Sequence, residues 1–236
     1  MSYAIFRIEK IKSKSSISGR SNHNHRMFKV NNANDQINNK ILKGSSNAME
    51  DWQARIDELG IEKLRKNGVL AYEVLMTFSQ DSKEKMLNLT NSKGELALDR
   101  WCEDSMRFIN EKFNKKNIVN AVLHLDESTP HIHAIIVPEH NNRLNAKHFT
   151  GDRSKMIELQ DGYYKSLKPA FGKLLRRGKA GSKAKHISIQ QYYNQGPAII
   201  DNLTKENLLL KEENDELKEE NFKLKSILNK PLQPKN

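Results

Sequence analysis

His124-Leu125-Asp126-Glu127-Ser128-Thr129-Pro130-His131-Ile132-His133 holds three of the protein's eight histidines and two carboxylates in one short stretch. His131 and His133 are two apart, so on an extended strand both leave the same face while Ile132 points to the other. The apolar run Ala134-Ile135-Ile136-Val137 continues that strand, and residues 118–123 read as another, with 126–130 as the turn between them. If the two strands pair as an antiparallel hairpin, His124 ends the first strand beside His131 and His133 on the second. Three imidazole nitrogens can then meet at one point. Such a set, with coordination positions left open, suits a divalent metal acting on a substrate oxygen, and Glu127 can serve as a further ligand or as an orienting partner. A lone histidine on a strand is usually just solvated; three around one tight turn favour the metal. Asp126 is more ambiguous, because an Asp in a turn can simply cap its own backbone.

Working outward, residues 2–8 alternate enough to form a first strand, and 10–24 read as a polar loop that delivers His23-Asn24-His25-Arg26. Residues 31–48, rich in Asn, Lys and Ser, look irregular. A helix is expected over 51–66, stopped by Asn67-Gly68. Residues 69–78 are the longest apolar strand candidate, and Glu73 inside it is conspicuous: a charge in mid-strand needs either a partner or solvent. The helix expected over 96–115 carries Leu98, Trp101, Cys102, Ser105, Phe108, Ile109 and Phe113 in one stripe, which makes them core rather than a base-stacking platform. A basic loop with Arg143, Lys147 and His148 follows, then a helix over 154–175. A dense basic segment comes next, with Arg176, Arg177, Lys179, Lys183, Lys185 and His186, and Tyr192-Tyr193 behind it. The expected fold is α+β, an antiparallel sheet with flanking helices.

At 236 residues the chain allows one good-sized core plus an appendage. Its formal charge is +11, and residues 197–236 hold 7 basic and 8 acidic side chains, which leaves 33 against 21 in residues 1–196. The first part therefore carries all the positive field, which favours a polyanion, nucleic acid being the usual one; a generally Lys-rich composition would give the same sum. With Cys102 as the single cysteine, neither a disulfide nor a cysteine-based zinc site can form within the chain. No apolar run reaches signal-peptide or membrane-span length, so a soluble, cytoplasmic protein is expected.

The tail has its own logic. Leu203, Leu210, Leu217 and Leu224 recur every seven residues, with Ile200, Asn207, Asn214, Asn221 and Leu228 on the adjoining seam. Glu206, Glu213 and Glu220 fall at g and Lys211, Lys218 and Lys225 at e, which pairs opposite charges between parallel helices. Two domains follow: 1–196, and a dimerising coiled-coil tail over 197–236. A single helix packed on the first domain is the alternative, but its seam is narrow and its other faces are highly charged.

A metal site in a basic protein suggests phosphoryl transfer, and at this point the sequence resembles a known family. His23-Asn24-His25-Arg26 fits a His-Asn-any-Arg motif. Residues 124–133 fit His-any-Asp-Glu-any-Thr-Pro-His-hydrophobic-His at every position, and Arg177-Gly178 with Ala184-Lys185-His186 fits a later basic patch. Over roughly residues 1–195 the chain resembles the relaxase domain of plasmid mobilisation and recombination proteins, the Mob/Pre or MobV family. The resemblance implies a relaxase-type endonuclease palm, cleavage of one DNA strand at a plasmid transfer origin, and a covalent link to the 5′ end with a free 3′ hydroxyl. It implies His23 as nucleophile, Arg26 and Glu127 as catalytic partners, His124, His131 and His133 as ligands of Mn²⁺ or Mg²⁺, and Asp126 as support. It also implies DNA contacts from Asn24, Arg176, Arg177, Lys179, Lys183, Lys185 and His186. Tyr3, Tyr72, Tyr163, Tyr164, Tyr192 and Tyr193 remain rival nucleophiles. A non-catalytic origin-binding protein and a rolling-circle replication initiator are the alternatives; the complete histidine triad argues against the first, the N-terminal histidine motif and the short chain against the second.

Overall fold

The computed structural model describes residues 2–30 and 32–178, and in the tail Leu210, Lys211, Glu213, Asn214, Leu217, Lys218 and Asn221. In chain order the elements are β1 (Tyr3–Ile11), α1 (Lys14–Asn24), β2 (Lys40–Lys43), α2 (Ala48–Glu58), β3 (Ala71–Phe78), α3 (Lys83–Asn88), α4 (Ala97–Phe113), β4 (Ile118–His124) and β5 (His131–Ile136). There follow a small hairpin of β6 (Glu139–His140) and β7 (Arg143–Leu144), then α5 (Ala146–Thr150), α6 (Arg153–Phe171) and β8 (Arg176–Arg177). Six strands form one sheet in the order β2-β4-β5-β3-β1-β8. The sequence reading expects an antiparallel sheet throughout. Five strands comply, but β8 pairs parallel with β1 through Tyr3↔Arg176 and Ala4↔Arg177, so the sheet is mixed.

Two-residue alternation sorts the strands' side chains onto two faces. On one face Phe6, Val74, Met76, Phe78, Ile132 and Ala134 pack beneath Trp101, Phe108 and Phe113 of α4 and Tyr163, Leu167 and Phe171 of α6. The expected stripe of α4 is thus the main core. On the other face Ile11, Ala71, Val119, Ile135 and Val137 pack against Ile17 of α1 and Trp52 and Ile56 of α2. His131 and His133, out of phase with Ile132 and Ala134, belong to this second face.

Residues 14–24, read as loop, are helical. Ser13 Oγ caps the helix by accepting from the Ser16 amide (3.1 Å), while Ile17, Ser21 and Asn24 form its buried face. Only one of those three is apolar, so no hydrophobic period marks the helix. Helix α2 starts earlier than expected, because Asn47 accepts from the amides of Met49 and Glu50. It ends at Glu58, where Gly60 with φ of 63° breaks it, and not at Asn67-Gly68. The region 31–48 contributes the edge strand β2, and α3 precedes α4.

Contacts divide the chain into two compact units, Met1–Ala180 and Gly181–Asn236. In the second, the seven described positions are helical and exposed. The expected boundary at 196, most of the heptads, Lys179, Lys183, Lys185, His186 and Tyr192-Tyr193 lie outside the described residues. Among the described residues no helix is long and apolar enough to cross a membrane.

Candidate active site

Strands β4 and β5 pair antiparallel with His124 directly opposite His131. The ring centroids of His124, His131 and His133 form a near-equilateral triangle with sides of 4.9, 5.0 and 5.0 Å. Each ring is oriented by a hydrogen bond at its other nitrogen. His124 Nε2 donates to the Asn24 carbonyl (2.9 Å), one of the carbonyls that the end of α1 leaves without a helical partner. His131 Nδ1 donates to the Thr129 carbonyl (2.9 Å), and His133 Nδ1 donates to Glu73 Oε1 (3.0 Å). With those tautomers, the lone pairs left over are His124 Nδ1, His131 Nε2 and His133 Nε2; the first two lie 3.2 Å apart. His124, His131 and Glu127 each bring a ligand atom within 4.8 Å of the others, and the His133 ring faces the same space, a mixed imidazole and carboxylate donor set that a divalent metal fits. Glu127 Oε1 is 3.8 Å from both His124 Nδ1 and His131 Nε2.

Glu73 has its reason: it is buried beneath the site and, besides His133, pairs with Arg20, which also bonds Glu9 (2.8 Å). The charge in an apolar strand was its only sequence signal. Arg20 gave none, sitting in a segment that lacked visible helical periodicity.

His23 lies in the last turn of α1, its ring 5.9 Å from that of His124 and 5.8 Å from that of His133. Ligand atoms of these three lie within 4.8 Å of one another, so a fourth imidazole faces the cluster. The end of α1 puts it there. Met27 N donates to the Asn22 carbonyl (2.9 Å) and Arg26 N to that of His23 (3.2 Å), the Schellman pattern, which demands a left-handed residue at Arg26 (φ 53°). That turn sends the guanidinium back across the site. It binds Asp126 in a fork (Nε–Oδ2 2.7 Å, Nη2–Oδ1 2.8 Å), reaches Glu127 Oε1 (2.7 Å) and donates to His124 Nδ1 (3.1 Å).

Burial, then the charge of Arg26 and the neighbouring His124, lower the pKa of His23. Burial also lowers His131, and it pushes His133 well below its ordinary value with His131 and His124 adding to the effect. Burial opposes ionisation of Glu127, yet the imidazoles of His124 and His131 and the Arg26 guanidinium outweigh it and hold the carboxyl far below the usual carboxylate range. Asp126 is lowered too: the Arg26 and Asn39 hydrogen bonds overcome burial. The site thus sets His23, His131 and His133, each with a lowered pKa, beside ionised carboxylates.

Other expected residues are placed differently. Asn24, expected among the DNA contacts, lies on the buried face of α1, 1% exposed, where it also borders a groove beside the site. Arg177 spends its guanidinium on Asp161 (2.5 Å) and the Gly178 carbonyl (2.8 Å). Arg176 lies in β8. Of the rival tyrosines, Tyr72 and Tyr163 are fully buried on the α4 side of the sheet, Tyr72 donating to the Ala146 carbonyl (2.7 Å) with its pKa pushed up to about 12 by burial.

The fold has counterparts among solved structures. The MobM relaxase domain bound to 22 nucleotides of plasmid pMV158 oriT DNA, in a Mn-bound crystal structure, superposes with a TM-score of 0.69 at 27% identity, over 81% of this chain and 98% of that one. Fold and site thus define a relaxase-type domain. The profile of the Mob_Pre family, described as plasmid recombination enzyme, matches residues 1–194, and the chain belongs to that family. A plasmid recombination enzyme type 2 of Staphylococcus aureus is 33% identical over 225 residues, 90% of this chain and 50% of that protein. A 65 kDa protein of Zymomonas mobilis is 34% identical over 198 residues, 81% of this chain and 32% of that protein. The chain spans about half the length of the Staphylococcus relative.

Proposed function

We propose that this protein is a relaxase that nicks one strand of DNA at a plasmid transfer origin by transesterification, leaving its own chain on the 5′ end. The observation that carries the reading is the gathering of the His124, His131 and His133 rings about one point beside Glu127, with the His23 imidazole facing them from α1. A binding module has no need of that convergence. The solved MobM complexes, which hold oriT DNA and Mn, support the same reading.

His124, His131 and His133 hold a divalent ion, Mn²⁺ by preference. When bound, that ion polarises the scissile phosphate and offsets its developing charge. His23 is the nucleophile. Its lowered pKa leaves a nitrogen lone pair free at neutral pH, and attack forms an N–P bond while the P–O3′ bond breaks. The departing 3′ oxygen takes up a proton, and the imidazole releases the single N–H proton of its other nitrogen as the phosphoramidate forms. A 3′ hydroxyl returning to the same phosphorus reverses the step, as strand transfer and recombination require. Arg26 fixes Asp126 and Glu127 and so shapes the turn between two ligands; Glu127 supplies negative charge beside the cation. Arg176, with Lys179, Lys183, Lys185 and His186, supplies phosphate contacts outside the site.

The test is to incubate purified protein with supercoiled DNA of its own replicon and Mn²⁺. Relaxed circles carrying protein on a 5′ end are expected. DNA that is bound but never cut would return the chain to the class of origin-binding proteins.

A further inference from the structure

Beside the active site lies a groove of about 570 Å³, within the range that holds small organic ligands. It is walled by the segment between α1 and β2 and by β2 itself. Of the nine large apolar side chains exposed in residues 2–178, four line this one groove: Met27, Phe28, Ile37 and Ile41. Phe28 is 52% exposed, a high value for an aromatic ring beside a charged centre. The groove is also continuous with the site, since Asn24, Arg26 and Asp126 line it as well. Asn24 adds a second, independent signal. Its side-chain amide is buried with no hydrogen-bond partner at either nitrogen or oxygen, an unusual state for a buried polar group.

His25, Arg26 and Lys29 in the lining can face a strand's backbone, but the apolar wall, the aromatic face and the unpaired donor–acceptor amide go beyond what a phosphate alone would need. They describe a nucleobase: a π-face to stack on and an edge that offers both a donor and an acceptor. We infer that this groove receives one unpaired base of the cleaved strand, stacked on Phe28 with its edge toward Asn24, from the nucleotide adjoining the scissile phosphate. The inference rests on the nicking reading for the position of that phosphate, and makes Phe28 a residue that sets DNA register and preference. A strand held there by its base cannot slide, so the phosphate stays opposite His23.

The experiment measures fluorescence anisotropy of single-stranded oligonucleotides tiling the replicon, in EDTA so that no cleavage intervenes. The tightest binder is then remade with one abasic position at a time. The protein should lose affinity at one position by on the order of tenfold, the weight of one base–aromatic stack. Phe28→Ala should show the same loss on the intact oligonucleotide and no further loss at that abasic position, while Phe28→Trp restores binding. A flat abasic profile, or losses that simply multiply in Phe28→Ala, would overturn the inference even if the protein nicks DNA normally. An abasic signature in a protein that never cuts with Mn²⁺ would instead reject the nicking reading and leave the base site standing.

Discussion

Arg26 holds a left-handed backbone that costs a non-glycine residue roughly 1–2 kcal/mol, and the fork to Asp126 together with the bond to Glu127 offsets it. Lysine cannot make that fork. Glu73 acts one step further from the chemistry. Removing the acceptor of a ligating histidine typically lowers metal affinity 10- to 100-fold, so Glu73→Ala should weaken Mn²⁺ binding by that order in calorimetry. Glu73→Gln, which still offers an oxygen to His133 Nδ1, should lose less; equal losses in both variants would mean that orientation of His133 is not what Glu73 supplies. His131→Ala should abolish nicking while duplex binding persists, because affinity comes mainly from Lys and Arg contacts to phosphate. Since His23 faces the cluster closely enough to be a ligand, its role needs a test of its own. Peptide mapping of the protein–DNA adduct should place an acid-labile nucleotide on His23, with Mn²⁺ affinity in His23→Ala nearly intact. An adduct on Tyr192 or Tyr193 would show the assignment to be wrong.

At the scale of elements, the junction of β2 and α2 is the least forgiving. Gly44, with φ of 81°, has no room for a side chain: a Cβ would stand 2.5 Å from both Asp51 Oδ2 and the Val119 carbonyl. Asp51 accepts from the Ser45 amide and from Asn120 Nδ2 (2.8 Å each), and His25 Nε2 donates to Asn120 Oδ1 (3.1 Å), so this junction ties β4 to the end of α1 that carries His23. Gly44→Ala should therefore cost about 1–3 kcal/mol and lower the melting temperature by on the order of 5 °C. A melting temperature unchanged from that of the unsubstituted protein would show that the junction relaxes freely. The hairpin β4–β5 was legible because its message is a period of two with ligand-grade side chains on one phase, and α4 because seven buried positions repeat with helical spacing. Helix α1 was not, because its buried face is Ile17, Ser21 and Asn24, and two of those make polar contacts instead of apolar ones: Ser21 Oγ accepts from the Ala48 amide (2.9 Å), and the carbonyl of Asn24 accepts from His124. Position-specific hydrogen bonds of that kind leave no periodic trace in a sequence. Glu73 stood out as a charge out of place, but its partners Arg20 and His133 come from separate elements and only the folded sheet brings them together.

At the scale of the whole molecule, the residues proposed as metal ligands and nucleophile all lie in the first compact unit, and the heptads of the tail point to a separate task. Its described positions are helical, with Leu210 and Leu217, one heptad apart, 52% and 50% exposed. Two leucines left in water on one face call for a cover, and the Glu at g and Lys at e call for a second copy in parallel. Each such ion pair contributes only a few tenths of a kcal/mol at an exposed site, so burial of the leucine seam must supply most of the association energy, about 1.5–3 kcal/mol per fully buried side chain. Three Asn at a positions subtract from that sum while favouring two strands in register. Changing Leu210 and Leu217 together to polar residues should therefore turn dimers into monomers in sedimentation. Nicking of single-stranded oligonucleotides should survive, because every residue assigned to the chemistry precedes the tail, and the loss should fall on substrates that require two protomers to act together. An unsubstituted protein that sediments as a monomer at tens of micromolar, about where so short a coiled coil should already associate, would reject the pairing.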